Sequence, residues 1–171
     1  MEFKKDQTAV TNAAQIIKLL LLDVDGVLTD GRLYFSNTGE ELKTFHSLDG
    51  HGIKMLKNAG IEVGIITGRT SKIVEHRAAN LGIDLLFQGR EDKLEATQEI
   101  VSNLNLKLEQ VAYAGDDLPD LPAIQQVGIG FSVPNGHIDV QNGAAAITEK
   151  IGGSGAVREI TDFILKSQNK Y

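Results

Sequence analysis

Short apolar runs that alternate with amphipathic segments constrain the fold of this chain more than any other feature. The first run, Leu19–Leu22, is apolar at every position, which is typical of a strand buried on both faces of a parallel sheet. Strands are predicted over residues 18–23, 62–66, 85–87, 111–114, 128–132 and 145–147. Helices are predicted over residues 51–58, 71–81, 93–104, 119–126 and 156–166. This alternation predicts an α/β fold with a doubly wound, mostly parallel Rossmann-like sheet and helices on both faces.

Local signals mark the ends of these elements and one insertion. Asp49 is the expected N-cap of the first predicted helix, and Gly82 is expected to end the second. The turn sequence SNTG lies between two apolar segments, which predicts a β-hairpin over about residues 31–46, directly after the first strand. Its apolar side chains have no evident core to enter, which indicates contact with other copies of the chain: Leu33, Tyr34, Phe35 and Phe45.

The composition limits what the chain can bind. Its 171 residues are expected to form one domain over 1–171. The net charge of −6 offers no broad basic surface to nucleic acid or to an anionic membrane. Cysteine is absent, and the longest apolar run is far too short to span a bilayer. Because the N-terminal segment also lacks an apolar signal-peptide core, we expect a cytoplasmic protein with neither nucleic-acid nor membrane partners.

Polar residues follow several of the predicted strands at the points where these strands end. In doubly wound sheets, ligands bind at this carboxyl edge. The residues expected there are Asp23, Asp25, Thr67, Gly68, Arg69, Lys93, Asp116, Asp117 and Asp120. Asp23 and Asp25 are two residues apart, so an extended backbone directs both side chains to one side. Together with Asp116 or Asp117 they predict a carboxylate cluster around a hard cation such as Mg²⁺.

A carboxylate–Mg²⁺ site beside a lysine and a threonine points to phosphoryl chemistry. An aspartate can attack phosphorus and form an aspartyl-phosphate. Lys93 and the Thr67 hydroxyl are suited to hold the phosphoryl oxygens. Asp25 can give a proton to the leaving alcohol and later take one from the attacking water. The residues therefore predict a phosphatase.

The order and spacing of four motifs resemble those of the haloacid dehalogenase-like phosphohydrolases. The motifs are DVDGVLTD from Asp23, IITGR ending at Arg69, the isolated Lys93, and GDDLPD ending at Asp120. No segment between them is long enough to form a cap domain. The hairpin and the Gly-rich segment IGGSGAVREI, within a tail over about 151–171, resemble the capless branch that hydrolyses 3-deoxy-D-manno-octulosonate 8-phosphate (KDO 8-phosphate).

This resemblance implies catalytic and metal-binding roles, position by position. Asp23 would be the nucleophile and a Mg²⁺ ligand, and Asp116 would be a second direct ligand. Asp25 would be the acid/base, with its backbone carbonyl on the metal. Thr67 and Lys93 would hold the phosphoryl group. The carboxylates nearby would support the metal or the lysine: Asp117 and Asp120.

The resemblance also implies a substrate and an assembly. The expected activity is Mg²⁺-dependent hydrolysis of KDO 8-phosphate in lipopolysaccharide precursor biosynthesis, by a homotetramer in which each site is roofed by a neighbour. Gly68 and Arg69 would meet the sugar-acid portion of the substrate. Apart from the resemblance, the glycines of the tail would act as hinges of a mobile lid, which would let Arg158 reach a substrate carboxylate.

Other interpretations remain open from the sequence. The substrate could be a related nine-carbon sugar acid 9-phosphate, although that branch tends to carry lysine at the position of Arg69. A receiver module would phosphorylate an aspartate without turnover, and an inactive tetramer would keep only the fold. Asp117 and Asp120 could be simple N-caps, Arg158 a surface charge, and the Gly-rich segment a flexible connection.

Overall fold

The computed structural model describes residues 1–39 and 41–171. Its strands are β1 (Glu2–Phe3), β2 (Leu19–Leu22), β3 (Tyr34–Phe35), β4 (Glu41–Leu42), β5 (Glu62–Thr67), β6 (Leu85–Gln88), β7 (Val111–Ala114), β8 (Ile129–Ser132) and β9 (Ala146–Ile147). Its helices are α1 (Gln7–Ala14), α2 (Ser47–Asn58), α3 (Lys72–Leu81), α4 (Lys93–Asn103), α5 (Leu121–Gln126), α6 (Ile138–Gly143) and α7 (Ala156–Ser167). No helix within the described residues is both long and apolar enough to cross a membrane.

Within the described residues, the central sheet has seven strands in the order β1-β9-β8-β7-β2-β5-β6. Neighbouring strands run parallel except at one edge, where β1 is antiparallel to β9. The chain builds outward from β2 to β5 and β6, then crosses back to β7 and continues on the other side. The switch point of this doubly wound sheet therefore lies at β2, where ligands of such folds bind beyond the carboxyl ends of the strands.

Two apolar layers cover the sheet, as the unbroken apolar run of β2 predicts. Leu20 and Leu22 face a core shared with α1, α2, α3 and α7. Leu19 and Leu21 face a second core shared with α4, α5 and α6. All four side chains are completely buried, and each such burial contributes roughly 1.5–3 kcal/mol. The predicted α/β class and the helices on both faces are confirmed.

The predicted hairpin forms a small separate sheet in which β3 pairs antiparallel with β4. Residue 40, within the predicted hairpin, lies outside the described residues. Leu33, Tyr34, Phe35 and Leu42 are exposed, as the lack of a core for this segment predicts. The expectation for Phe45 is wrong, because its ring packs against the main core and lies under the guanidinium of Arg77, 5.3 Å from the ring centre.

Two other local predictions differ from the structure. Helix α2 begins earlier than predicted, with His46 as its N-cap, so Asp49 lies inside the helix. The Asp49 carboxylate caps a different helix, since it accepts the backbone N–H groups of Gly155 at 3.3 Å and Arg158 at 2.7 Å at the start of α7. Gly82 ends α3 in the left-handed conformation, as predicted. β1, α1 and α6 were not predicted.

Candidate active site

The end of β2 places Asp23 at the middle of the sheet edge. Its backbone N–H donates to the carbonyl of Ala114 at 3.0 Å, which extends the pairing of β2 with β7. The chain then leaves the sheet in an irregular turn, Val24–Leu28, in which Gly26 has a φ of 96°. A β-carbon on Gly26 would lie 2.0 Å from Oδ2 of Asp116, so glycine permits this close approach. The turn thus packs its backbone against the fourth motif.

Lys93, the first residue of α4, joins the ends of the central strands. Its side chain is buried, and its Nζ donates to Oδ1 of Asp23 at 2.8 Å, Oδ1 of Asp120 at 3.0 Å and the carbonyl of Ile66 at 3.1 Å. All three ammonium protons therefore have acceptors. Burial acts to lower the pKa of Lys93, but the Asp23 and Asp120 carboxylates outweigh it and raise that pKa. Lys93 is accordingly an ammonium ion.

Asp120 ties this lysine to the loop that follows β7. Its Oδ1 also accepts the hydroxyl of Tyr113 at 2.7 Å, and its Oδ2 accepts the backbone N–H groups of Asp116 at 3.1 Å and Asp117 at 3.2 Å. Both carboxylate oxygens are therefore occupied. Asp117 is exposed and accepts the N–H of Leu118 at 2.8 Å, so it does cap a short turn, as one interpretation of the sequence held.

A cluster of carboxylates forms beside the lysine. Asp23, Asp116 and Asp120 each offer one oxygen, and these atoms lie within 4.8 Å of one another. Within the described part of the chain, Oδ1 of Asp116 is buried and has no hydrogen-bond partner. Because both oxygens of Asp120 are engaged, Asp23 and Asp116 are the residues free to ligate a cation. A donor set made only of carboxylate oxygens, one of them unpaired, fits Mg²⁺.

The ionisation of this cluster depends on positive charge. Burial raises the pKa of Asp23 to about 7, and the charge of Asp120 adds to the shift, although Lys93 opposes it. Burial and the charge of Asp23 raise the pKa of Asp116 to about 8. Two adjacent carboxyls that retain protons near neutrality would release them to a dication.

The cluster lines a pocket of about 300 Å³ at the sheet edge. Every residue that the sequence predicted for the site contributes to its wall except Arg158. Thr67 is buried at the end of β5, and its Oγ1 accepts the N–H of Arg69 at 3.4 Å.

The Asp25 carboxylate faces two cations: Lys43 Nζ contacts Oδ1, and Arg69 Nε lies 3.8 Å from Oδ2. A β-carbon on Gly68 would lie 2.5 Å from Oε1 of Glu91, so Gly68 lets that carboxylate reach the pocket wall.

Arg158 lies apart from this pocket, and the Gly-rich segment is packed. The Nε of Arg158 donates to Asp162 at 2.6 Å on the surface of α7. A β-carbon on Gly152 would lie 1.7 Å from the carbonyl oxygen of Gly26, so the glycine is needed for contact with the turn after β2. The described segment therefore braces the site. Its predicted action as a lid, and a contact of Arg158 with substrate, stay predictions.

Three residues at or beside the site are not predicted from the sequence. Tyr113 lies within an apolar predicted strand, although a hydroxyl within a fully buried strand signals a polar partner. Asn135 bridges the turn after β2 and the Gly-rich segment, donating to Gly26 O at 2.9 Å and accepting from Gly152 N at 2.8 Å. No local pattern marked it. Lys43 lies in the predicted hairpin, and nothing in the sequence distinguishes it from the other residues there.

Comparison with known proteins decides between the chemistries that this geometry allows. The haloacid dehalogenase-like hydrolase family matches residues 33–128. The 3-deoxy-D-manno-octulosonate 8-phosphate phosphatase KdsC of Yersinia pestis is 48% identical over 161 residues, which span 94% of this chain and 86% of that protein. The chain belongs to the haloacid dehalogenase-like hydrolase family. Membership in this hydrolase family removes the receiver interpretation.

Solved structures of this hydrolase family share the same fold. A 3-deoxy-D-manno-octulosonate 8-phosphate phosphatase from Moraxella catarrhalis, in complex with magnesium ion, phosphate ion and KDO, superposes with a TM-score of 0.94 at 45% identity, covering 95% of this chain and 94% of that one. The cobalt-bound deoxy-D-mannose-octulosonate 8-phosphate phosphatase of Haemophilus influenzae gives a TM-score of 0.89 at 43% identity, covering 92% of each chain. The haloacid dehalogenase-like hydrolase fold and the predicted resemblance are confirmed.

Proposed function

We propose that this protein hydrolyses KDO 8-phosphate to KDO and inorganic phosphate, a step of lipopolysaccharide precursor biosynthesis. The observation that carries the proposal is the arrangement at the end of β2. There Asp23 accepts a hydrogen bond from Lys93, and Asp23 and Asp25 line one pocket. Relatives that bear the name of this activity match nearly the whole chain. The protein is thus a phosphoric monoester hydrolase.

The first chemical step transfers the phosphoryl group to Asp23. Lys93 holds Oδ1 of Asp23, so Oδ2 is the oxygen that attacks phosphorus. The bond between phosphorus and the sugar oxygen breaks, and the carboxyl group of Asp25 gives its proton to that departing oxygen. The Thr67 hydroxyl donates to one phosphoryl oxygen, and Lys93 would exchange one of its present acceptors for another during the transfer. The products of this step are KDO and phosphorylated Asp23.

The second step releases phosphate. Water attacks the phosphorus of phosphorylated Asp23, and the Asp25 carboxylate accepts the proton that this water loses. The bond between phosphorus and the Asp23 oxygen breaks, and inorganic phosphate leaves. Asp23 is again a carboxylate and Asp25 again a carboxylic acid, so the cycle is closed.

Mg²⁺ is the cofactor that the carboxylate cluster fits. Asp23 and Asp116 would hold it through carboxylate oxygens and Asp25 through its backbone carbonyl, with Asp117 and Asp120 in supporting positions. The ion supplies positive charge that neutralises phosphoryl oxygens as charge develops on them. The unpaired buried oxygen of Asp116 supports its place among the ligands.

The raised pKa values of the cluster predict how Mg²⁺ changes stability with pH. In the unfolded chain both carboxyls titrate near 3.8, whereas in the metal-free fold the pKa of Asp23 is about 7 and that of Asp116 about 8. The folded state therefore binds more protons between these values, and the stability of the metal-free protein falls as pH rises through this window. Mg²⁺ binds the ionised carboxylates, so the increase in Tm that it causes should grow between about pH 6 and about pH 8.5.

Thermal unfolding with Mg²⁺ and with a chelator, across that pH range, checks this expectation. The Asp116→Asn variant is the matched control, because it removes one ionisable ligand and should flatten the dependence. A Mg²⁺-induced shift in Tm that is equally large at the acidic end would contradict the assignment of these carboxylates as ligands.

The substrate end of the pocket supports finer proposals. Gly68 and the partly exposed Arg69 line the mouth and would meet the sugar-acid portion. The exposed apolar hairpin side chains support association between copies, and the resemblance implies a homotetramer in which a neighbour covers the site. In one copy of the chain, Arg158 is paired with Asp162, so its contact with substrate would require that pair to open. We place the reaction in the cytoplasm.

The activity is tested by phosphate release across a substrate panel in the presence of Mg²⁺. The panel contains KDO 8-phosphate, a nine-carbon sugar acid 9-phosphate, glucose 6-phosphate and p-nitrophenyl phosphate. We expect kcat/KM for KDO 8-phosphate to exceed that for the hexose phosphate by at least about 100-fold, because a site built for a charged group rejects a substrate that lacks it. Equal rates on all four would remove the substrate assignment, and preference for the nine-carbon acid would replace it.

A further inference from the structure

We propose that Lys43 is a positioning residue for Asp25, supplied to the active site by the hairpin. The inference rests on the proposed function, in which Asp25 carries the proton in both steps. The Nζ of Lys43 forms an ion pair and hydrogen bond with Oδ1 of Asp25. None of the family motifs noted above includes this lysine, and it lies 18 residues after Asp25 in the sequence.

The environment of Lys43 differs from that of the rest of the hairpin. The Lys43 side chain is 1% exposed, although the residue as a whole is half-buried, whereas Phe35 and Leu42 on the same hairpin are exposed. A buried ammonium is costly unless it is paired with a charge. The ion pair with Asp25 compensates that cost. A lysine on an exposed loop would need no such partner.

The chain just beyond Lys43 is anchored to the body of the protein. Phe45 packs against the main core and under Arg77, and the guanidinium of Arg77 donates to the carbonyl of His46 at 3.4 Å. Phe45 lies only two residues after Lys43, so this anchor limits how far the backbone at Lys43 can move away from Asp25.

Lys43 is not among the residues that line the catalytic pocket in the described structure. Its ammonium therefore affects the reaction by holding Asp25 and not by contacting the substrate. Asp25 does line the pocket, with its Oδ2 on the side of Arg69. The ammonium thus holds one oxygen of the carboxyl group and leaves the other for the leaving oxygen and the water. Proton transfer needs a heavy-atom distance of about 2.6–3.2 Å. Asp25 lies on an irregular turn, where its side chain would otherwise sample other rotamers.

Kinetics of Lys43→Met and Lys43→Arg, in the full-length protein with Mg²⁺, test the proposal. For Lys43→Met we expect kcat on KDO 8-phosphate to fall about 10- to 100-fold with a smaller change in KM, because misplaced proton transfer costs about this much. Lys43→Arg should recover part of the loss. Lys54→Met, at an exposed position on α2, is the matched control and should keep the wild-type rate.

A double-mutant cycle with Asp25→Asn separates positioning from other roles. On p-nitrophenyl phosphate, whose leaving group needs little proton donation, only the attack of water depends on Asp25, so Asp25→Asn should retain a slow but measurable turnover. If Lys43 acts through Asp25, adding Lys43→Met to Asp25→Asn should cost less than about 2-fold further. If Lys43→Met lowers the rate by the same factor in the wild type and in Asp25→Asn, the two losses are independent and the proposal is overturned. An increase in KM confined to KDO 8-phosphate would also overturn it, since that result would place Lys43 on the substrate.

The measured rates distinguish a wrong assignment of the function from a wrong assignment of Lys43. If the wild-type protein hydrolyses neither phosphate, the proposed function is wrong. If the wild type turns over while Lys43→Met matches Lys54→Met in kcat, the function stands and the role of Lys43 is wrong. Circular dichroism and Tm of each variant show whether a lost rate reflects a lost fold.

Discussion

Replacement of Asp23 by Asn should lower kcat for KDO 8-phosphate by roughly 10⁵-fold, which is the scale of loss when a covalent nucleophile is removed. The amide cannot attack phosphorus, although it keeps the shape of the side chain beside Lys93. Initial rates of phosphate release at saturating substrate measure the effect. A loss of less than about 10-fold would show that a group other than Asp23 attacks the substrate.

The same variant has a predicted effect on stability that separates catalysis from folding. The pKa of Asp23 is raised from its usual value to about 7, so in the metal-free protein its stabilising contribution is present at low pH and is lost as pH rises through that value. Asn has no proton to lose. Without metal, at about pH 8, Asp23→Asn should therefore unfold at a Tm no lower than that of the wild type. A much lower Tm would mean that the lost activity reflects a damaged fold.

Replacement of Lys93 by Met should remove both activity and stability. The ammonium neutralises two carboxylates in a buried site, Asp23 and Asp120, and holds the proposed nucleophile, Asp23. Removing one partner of a buried ionic network leaves uncompensated charge and costs roughly 3–5 kcal/mol. Chemical denaturation of the metal-free variant at neutral pH measures this loss. Acidification should restore part of it, because protonation of the carboxylates removes the unpaired charge.

Lys72→Met is the matched control for this experiment. Lys72 begins α3 as Lys93 begins α4, but it is exposed, so its replacement should change the free energy of unfolding by no more than about 0.5 kcal/mol. Equal stability of the two methionine variants would contradict the buried network that surrounds Lys93.

The sequence predicts those parts of the fold and site that follow from local pattern. The run of leucines in β2 specifies a strand buried on both faces, and the polar residues after each strand must meet at one edge because the strands are parallel. For this reason Asp23, Thr67, Lys93 and Asp116 could be assembled into one site before any coordinates. Their individual roles are predictions that the kinetic experiments test.

The features that could not be predicted depend on contacts between distant segments. Asp49 resembled a cap for its own helix, yet its carboxylate binds the first turn of α7, more than a hundred residues away. The glycines after Ile151 suggested flexibility, whereas Gly152 fits against the carbonyl of Gly26. The contact of Lys43 with Asp25 joins the hairpin to the turn after β2, 18 residues earlier. No periodicity or motif encodes such pairings.

The most direct test of covalent catalysis at Asp23 uses KDO 8-phosphate labelled with radioactive phosphorus, mixed rapidly with enzyme and Mg²⁺ and quenched with acid. We expect label in the peptide that contains Asp23 within the first turnover, its loss in a chase with unlabelled substrate, and greater accumulation in Asp25→Asn, which slows the attack of water. Asp23→Asn should carry no label. Phosphate released with no protein-bound label at any quench time, in both the wild type and Asp25→Asn, would contradict an aspartyl-phosphate at Asp23.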